Sequence, residues 1–161
     1  MSDERLKPKG TIEVIDKVHW LYFVTIPLPH KRGLKSDTAI RIWNGFRGRF
    51  CKLINHSPKE LLWVVCLETG PSGGNPHLHA LIGGRPAIFN GADILQTIKE
   101  IESEMELPSI NVLVYEGRRN AASYICKELS RSEKDAAALD GYWPIISDSV
   151  WRTLARRPNL R

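Results

Sequence analysis

The order of apolar patterns along the 161 residues predicts an α+β domain with a split βαβ plan. Three observations carry the prediction. Short runs rich in β-branched and aromatic residues recur near residues 18–26, 61–68, 77–82 and 110–115. Stretches with apolar residues at helical spacing separate the first run from the second and the third from the fourth. Between the second and third runs there is only a Gly- and Pro-rich connection, so those two strands form a hairpin.

Residues 1–11 read as a mobile arm, since Lys7-Pro8-Lys9-Gly10 is polar and rich in breakers. Val18 to Ile26 is a strand that Pro27 and Pro29 end. A basic turn with Lys31, Arg32 and Lys35 follows. Ser36 or Asp37 can cap a helix reaching about Ile54, with Ile40, Trp43, Phe46, Phe50, Leu53 and Ile54 on its apolar face. Gly45 and Gly48 weaken that helix by about 1 kcal/mol each, so it needs tertiary support. The run Leu61–Glu68, continuously apolar up to its terminal carboxylate, reads as a central strand buried on both faces. Thr69 to Pro76 is a loop, and the His77–Ile82 strand follows it directly. Asn90 can cap a second helix through about Met105, with Ile94, Ile98, Ile101 and Met105 buried. Ile110–Tyr115 is a fourth strand, and Asn120–Arg131 a third helix with Ala122, Ile125 and Leu129 on one face. Residues 132–146 look irregular, and a short basic helix near Ser149–Arg157 closes the chain. The first six elements make the ferredoxin-like, RRM-like arrangement: an antiparallel central sheet, two helices on one face, the other face open. Residues 1–161 form a single domain, with 132–161 a C-terminal extension.

Composition narrows the function classes. Hydrophobic residues make up 42% of the chain, a globular proportion. A net charge of +5 and a pI near 9.2 lean mildly toward a polyanionic partner. Cys51, Cys66 and Cys126 are odd in number, lack a CxxC pair and cannot make a zinc finger at their spacings. A reducing, cytoplasmic compartment is therefore expected. The charged start has no apolar signal core, and no run approaches the length of a membrane span.

The chemistry concentrates on the third strand. In a strand, alternate side chains share a face, so His77 and His79 point one way and Leu78, Ala80 and Ile82 the other. Two imidazoles about 7 Å apart along the backbone can grip a metal ion or a phosphate. Glu68 ends the partner strand of the hairpin and is expected near both. One carboxylate and two imidazoles are a three-ligand set for a divalent ion. On the third helix, Tyr124 and Lys127 share a face with Asn120, Glu128 and Arg131. An ammonium at i+3 favours the phenolate of a tyrosine nucleophile and offsets charge on a phosphate.

Together these residues resemble a known family. His77-Leu78-His79 is similar to the His-hydrophobe-His (HUH) motif, and Tyr124-Ile125-Cys126-Lys127 to the YxxK motif, of rolling-circle replication initiators, the Rep endonucleases. Phe23-Val24-Thr25-Ile26-Pro27 looks like their first motif, and the resemblance spans Val18 to Arg131 in the family's element order. It implies a single-tyrosine enzyme that nicks and rejoins single-stranded or hairpin origin DNA. His77, His79 and Glu68 would hold Mn²⁺ or Mg²⁺, and the tyrosine helix would lie on the open face of the sheet. Tyr124 would attack the scissile phosphate, leaving a 5′-phosphotyrosine link and a free 3′-OH, and Lys127 would be the motif lysine. A host helicase and polymerase would be partners. Histidine ligands suit Mn²⁺ at least as well as Mg²⁺.

Departures matter too. A second attack would need Tyr115, Tyr142 or another molecule. The 161 residues carry no GxxxxGK[ST], the mark of the helicase domain in the large viral members, so either unwinding is borrowed from a host helicase or this is the nuclease part of a longer protein; a small stand-alone plasmid or phage Rep is the expectation. Expected DNA contacts are Arg118 and Arg119 before the tyrosine helix and Arg152, Arg156 and Arg157 at the end, with His19, Trp20 and Tyr22 as base-stacking candidates. The nearest alternative is a single-tyrosine HUH transposase or relaxase. Lys127 favours Rep over a transposase, and a tyrosine that follows the histidines argues against a relaxase. A different class is a non-catalytic RRM-like nucleic-acid-binding module. A histidine-triad hydrolase would need a third histidine where Leu81 stands.

Overall fold

The computed structural model describes residues 13–29, 36–68, 75–84, 91–116, 125 and 145–156, with the backbone alone for 91–93. Strands are β1 (Trp20–Pro27), β2 (Leu62–Glu68), β3 (His77–Gly83), β4 (Asn111–Val114) and β5 (Ile145–Ile146). Helices are α1 (Ser36–Leu53), α2 (Gly91–Met105) and α3 (Asp148–Ala155), and residues 13–16 add a helical turn ahead of β1. The five strands form one antiparallel sheet in the order β4-β1-β3-β2-β5. Its first four strands have the order that the split βαβ plan requires. Among the described residues no helix is long and apolar enough to cross a membrane.

Register sorts the side chains into two faces. Trp63 pairs with Ile82, Val65 with Ala80, Leu67 with Leu78, and Val24 also with Ala80. These residues share a face, because directly opposed residues of an antiparallel pair point the same way. α1 packs there: its Trp43 ring lies 5.3 Å from that of Trp63. Trp43, Phe46 and Phe50 recur at i, i+3 and i+7, stack at 5.6 and 5.7 Å, and are at most 1% exposed. Burying each contributes about 1.5–3 kcal/mol, which supplies the tertiary support this glycine-containing helix needs.

α2 lies beside α1. A β-carbon on Gly45 would sit 3.1 Å from Met105 Cε, so Gly45 permits the close approach of the two helices. At their edge the Arg49 Nε–H donates to Glu104 at 3.1 Å. Both helices end on a residue of positive φ, Asn55 (53°) and Glu106 (52°). In each case the next amide reaches back five residues, His56 to Cys51 at 2.9 Å and Leu107 to Glu102 at 3.0 Å, closing the last turn.

Two expectations need correction. Residues 145–146 are not irregular: they add β5 to the outer edge of β2, Val64 opposite Ile146 and Val65 opposite Ile145. Two residues are too few to show an alternating pattern, which is why periodicity missed them. The second face of the sheet is also not open at its centre. Val64, Cys66 and Leu81 lie on it, and all are at most 2% exposed. Ile125, which belongs to the expected third helix, is helical and joins the same apolar core at 1% exposure. The rest of that helix, the arm at 1–11 and the loop at 69–74 lie outside the described residues.

Candidate metal and phosphate site

The second face carries the candidate chemistry at one end of β2 and β3. Glu68 pairs with His77, Cys66 with His79, and across the other edge of β3 Thr25 pairs with His79 and Pro27 with His77. Three adjacent strands therefore present Glu68, His77, His79 and Thr25 on one surface. The expectation that the hairpin sets Glu68 beside both histidines matches this register.

His79 is the best-held of these groups. Its Nε2 lies 2.6 Å from Glu68 Oε2 and its Nδ1 lies 3.1 Å from Thr25 Oγ1. Its ring stacks between Phe23, at 5.6 Å and 25°, and His77, at 6.0 Å and 14°. The His79 side chain is 9% exposed and that of Glu68 21%. Burial holds the His79 imidazole below its ordinary range; the hydrogen bond and charge of Glu68 oppose this, and the charge of His77 adds a smaller lowering. The ring is thus neutral near pH 7, the form in which a histidine ligates metal.

The donor set, one carboxylate and two imidazoles on one face, is chemically suited to a divalent ion such as Mn²⁺. In this conformation the donors are not drawn around a common point. His79 Nε2 is engaged by Glu68, the histidine rings are nearly parallel, and no group of three His, Cys, Asp or Glu side chains that could hold a metal occurs among the described residues. Glu68, His77 and His79 are the side chains that would hold such an ion, and Glu68 and His79 Nε2 would have to give up their direct bond to do so.

Sequence reasoning missed Thr25 and Phe23 as part of this site. Their signal was present in the period-two spacing to Pro27, but it becomes readable only once β1 is known to pair with β3.

Other candidates are placed elsewhere. Trp20 is 2% exposed, with its indole N–H donated to the Ile15 carbonyl at 2.8 Å. Base stacking by Trp20 is therefore corrected: its ring belongs to the core, packed over Gly83, where a β-carbon would meet it at 3.2 Å. Tyr22 is corrected as well. In the unbroken register that runs to Pro27 opposite His77, Tyr22 lies opposite Ile82, on the α1 face and away from the histidines. Arg152 on α3 and Arg156 just after it are exposed, and Arg152 Nη2 donates to the Lys59 carbonyl at 2.6 Å. That anchors α3 at the far end of β2 from Glu68, about 20 Å away at the usual rise per residue. These arginines cannot touch a phosphate held at the histidines. Arg47 stacks on Trp63 at 5.1 Å and Arg49 is paired to Glu104, so both serve the α1 packing. Tyr124, Lys127, Arg118 and Arg119 lie outside the described residues.

Compared with family models, curated proteins and solved structures, the chain has no match.

Proposed function

We propose that the chain is a metal-dependent enzyme that nicks and rejoins single-stranded DNA, of the rolling-circle initiator type, on a ferredoxin-like sheet. The observation that carries the reading is the grouping of Glu68, His77 and His79 on one face, with Glu68 opposite His77 and 2.6 Å from His79. In a binding module that used only aromatic stacking, neither the carboxylate nor its bond to a buried imidazole would have a task.

Glu68, His77 and His79 would hold Mn²⁺ or Mg²⁺, which supplies polarisation of the scissile phosphate and neutralisation of its developing charge. Thr25 and Phe23 fix the His79 ring, so that this donor is positioned before substrate arrives. Tyr124 is the proposed nucleophile. Its oxygen takes the phosphorus, the 3′ oxygen of the cut strand leaves, and the tyrosyl phosphodiester conserves the bond for rejoining without ATP. Lys127 is proposed to favour the phenolate. Ile125, next to Tyr124 in the chain, is buried in the core. Arg152 and Arg156, remote from the histidines, would contact DNA several nucleotides from the cut. A host helicase and polymerase would complete replication.

The test is a covalent adduct. The full chain is incubated with Mn²⁺ and a pool of single-stranded oligonucleotides and examined by mass spectrometry. A tyrosyl–DNA adduct is expected from wild type and none from Tyr124→Phe, with DNA binding retained. An adduct persisting in the Phe variant refutes the nucleophile; none from wild type on any single strand refutes the enzyme reading.

A further inference from the structure

His79 has a partner on each ring nitrogen, and together they fix where its proton resides. A carboxylate oxygen only accepts, so the 2.6 Å contact with Glu68 requires the hydrogen on Nε2. In a neutral ring Nδ1 then carries the lone pair, and the Thr25 hydroxyl at 3.1 Å must donate to it. This tautomer has no lone pair at Nε2 and cannot ligate a cation there. A hydroxyl both donates and accepts and rotates to suit. Thr25 is the group beside His79 that can serve either tautomer without moving a heavy atom, and it comes from β1, not from the histidine hairpin.

We propose that Thr25 is a positioning residue for His79. Its hydroxyl donates to Nδ1 while Nε2–H is bonded to Glu68, and turns to accept from Nδ1–H when Nε2 becomes a ligand for a divalent cation. The inference rests on the metal reading above. The proton balance is even: Nε2 releases one proton to solvent, Nδ1 takes one from solvent, and the ring stays neutral. Phe23 and His77 hold the ring plane on both sides, so the exchange needs no rotation of the imidazole. Serine retains the two-way hydroxyl, and valine keeps the shape of threonine without it.

The test uses the full chain with ¹⁵N-labelled histidine, the His79 signal being identified by its loss in His79→Gln. Long-range ¹⁵N–¹H spectra are expected to show the proton on Nε2 without metal and on Nδ1 with Zn²⁺ as a diamagnetic probe. Mn²⁺ affinity by electron paramagnetic resonance is expected to fall about tenfold or more in Thr25→Val and to stay within about threefold in Thr25→Ser, the scale typical of partners behind a ligand. A proton on Nδ1 in metal-free wild type overturns the inference. So does Thr25→Val binding Mn²⁺ as tightly as wild type, an outcome that leaves the metal reading standing. Failure of wild type to bind either ion overturns both.

Discussion

Glu68→Ala is the sharpest probe of the site in the absence of any ligand. The substitution deletes the acceptor 2.6 Å from Nε2 of the His79 side chain, which is 9% exposed. An unmet buried donor costs about 1–3 kcal/mol. Glu68 is itself 21% exposed, so water can enter where the carboxylate stood, and the expected loss lies at the lower end, about 1–2 kcal/mol. For a chain of this size that corresponds to about 2–8 °C in Tm. Glu68→Gln is the control: its amide oxygen still accepts from Nε2–H, and it should lose less than about 1 kcal/mol. Urea denaturation at pH 7.5 with EDTA, read by tryptophan fluorescence, measures both variants. Equal losses for Ala and Gln, or no loss for Ala, would refute the assigned bond and proton position.

Stability should also depend on pH through His79. Burial lowers its folded pKa below the ordinary 6.5, so below about pH 6.5 the unfolded chain takes up a proton that the folded ring resists. This contribution is fully present above about 6.5 and is lost as pH falls through the folded value. The urea midpoint should therefore drop between pH 7.5 and 5.5, and His79→Gln should flatten that dependence. Gly48→Ala should stabilise α1 by about 0.5–1 kcal/mol, because nothing lies within 4 Å of the new methyl group. Gly45→Ala must displace the Met105 methyl and should gain less, a contrast read from thermal melts of both variants. Trp20→Phe should lose about 1 kcal/mol with the bond to the Ile15 carbonyl, in the same urea assay, without altering DNA binding.

The element order was readable because most elements are long enough to show a period. α1 and α2 carry apolar side chains at helical spacing, and the glycine-rich connection announces the hairpin. Glu68 was readable as a neighbour of the histidines for the same reason, since a hairpin fixes which residues face each other. Thr25 was not, because its pairing with His79 depends on β1 lying against β3 after an intervening helix and strand, a contact between residues 54 apart. The base-stacking role expected of Trp20 failed for a packing reason: its ring is buried against Gly83 and its indole N–H is donated to the Ile15 carbonyl, which no residue type there signals. Tyr22 follows the plain alternation of β1 to the α1 face, which is fixed only once the pairing with β3 is known. β5 was invisible through its brevity, and the closure of the histidine face through its dependence on packing between distant segments.

His79 explains why the site and the sheet cannot be separated. Its contacts come from Phe23 and Thr25 on β1, Glu68 on β2 and His77 on its own strand. Strand pairing has a period of two, so a one-residue slip of either neighbour would turn Glu68 or Thr25 to the α1 face and bring an apolar residue against the imidazole. The register that buries Leu78, Ala80 and Ile82 beneath α1 is therefore the same register that assembles the donors on the other side. Apolar burial on one face specifies polar geometry on the opposite face. The donors thus sit at the end of the most buried pair of strands, where the core, and not a loop, holds them in place.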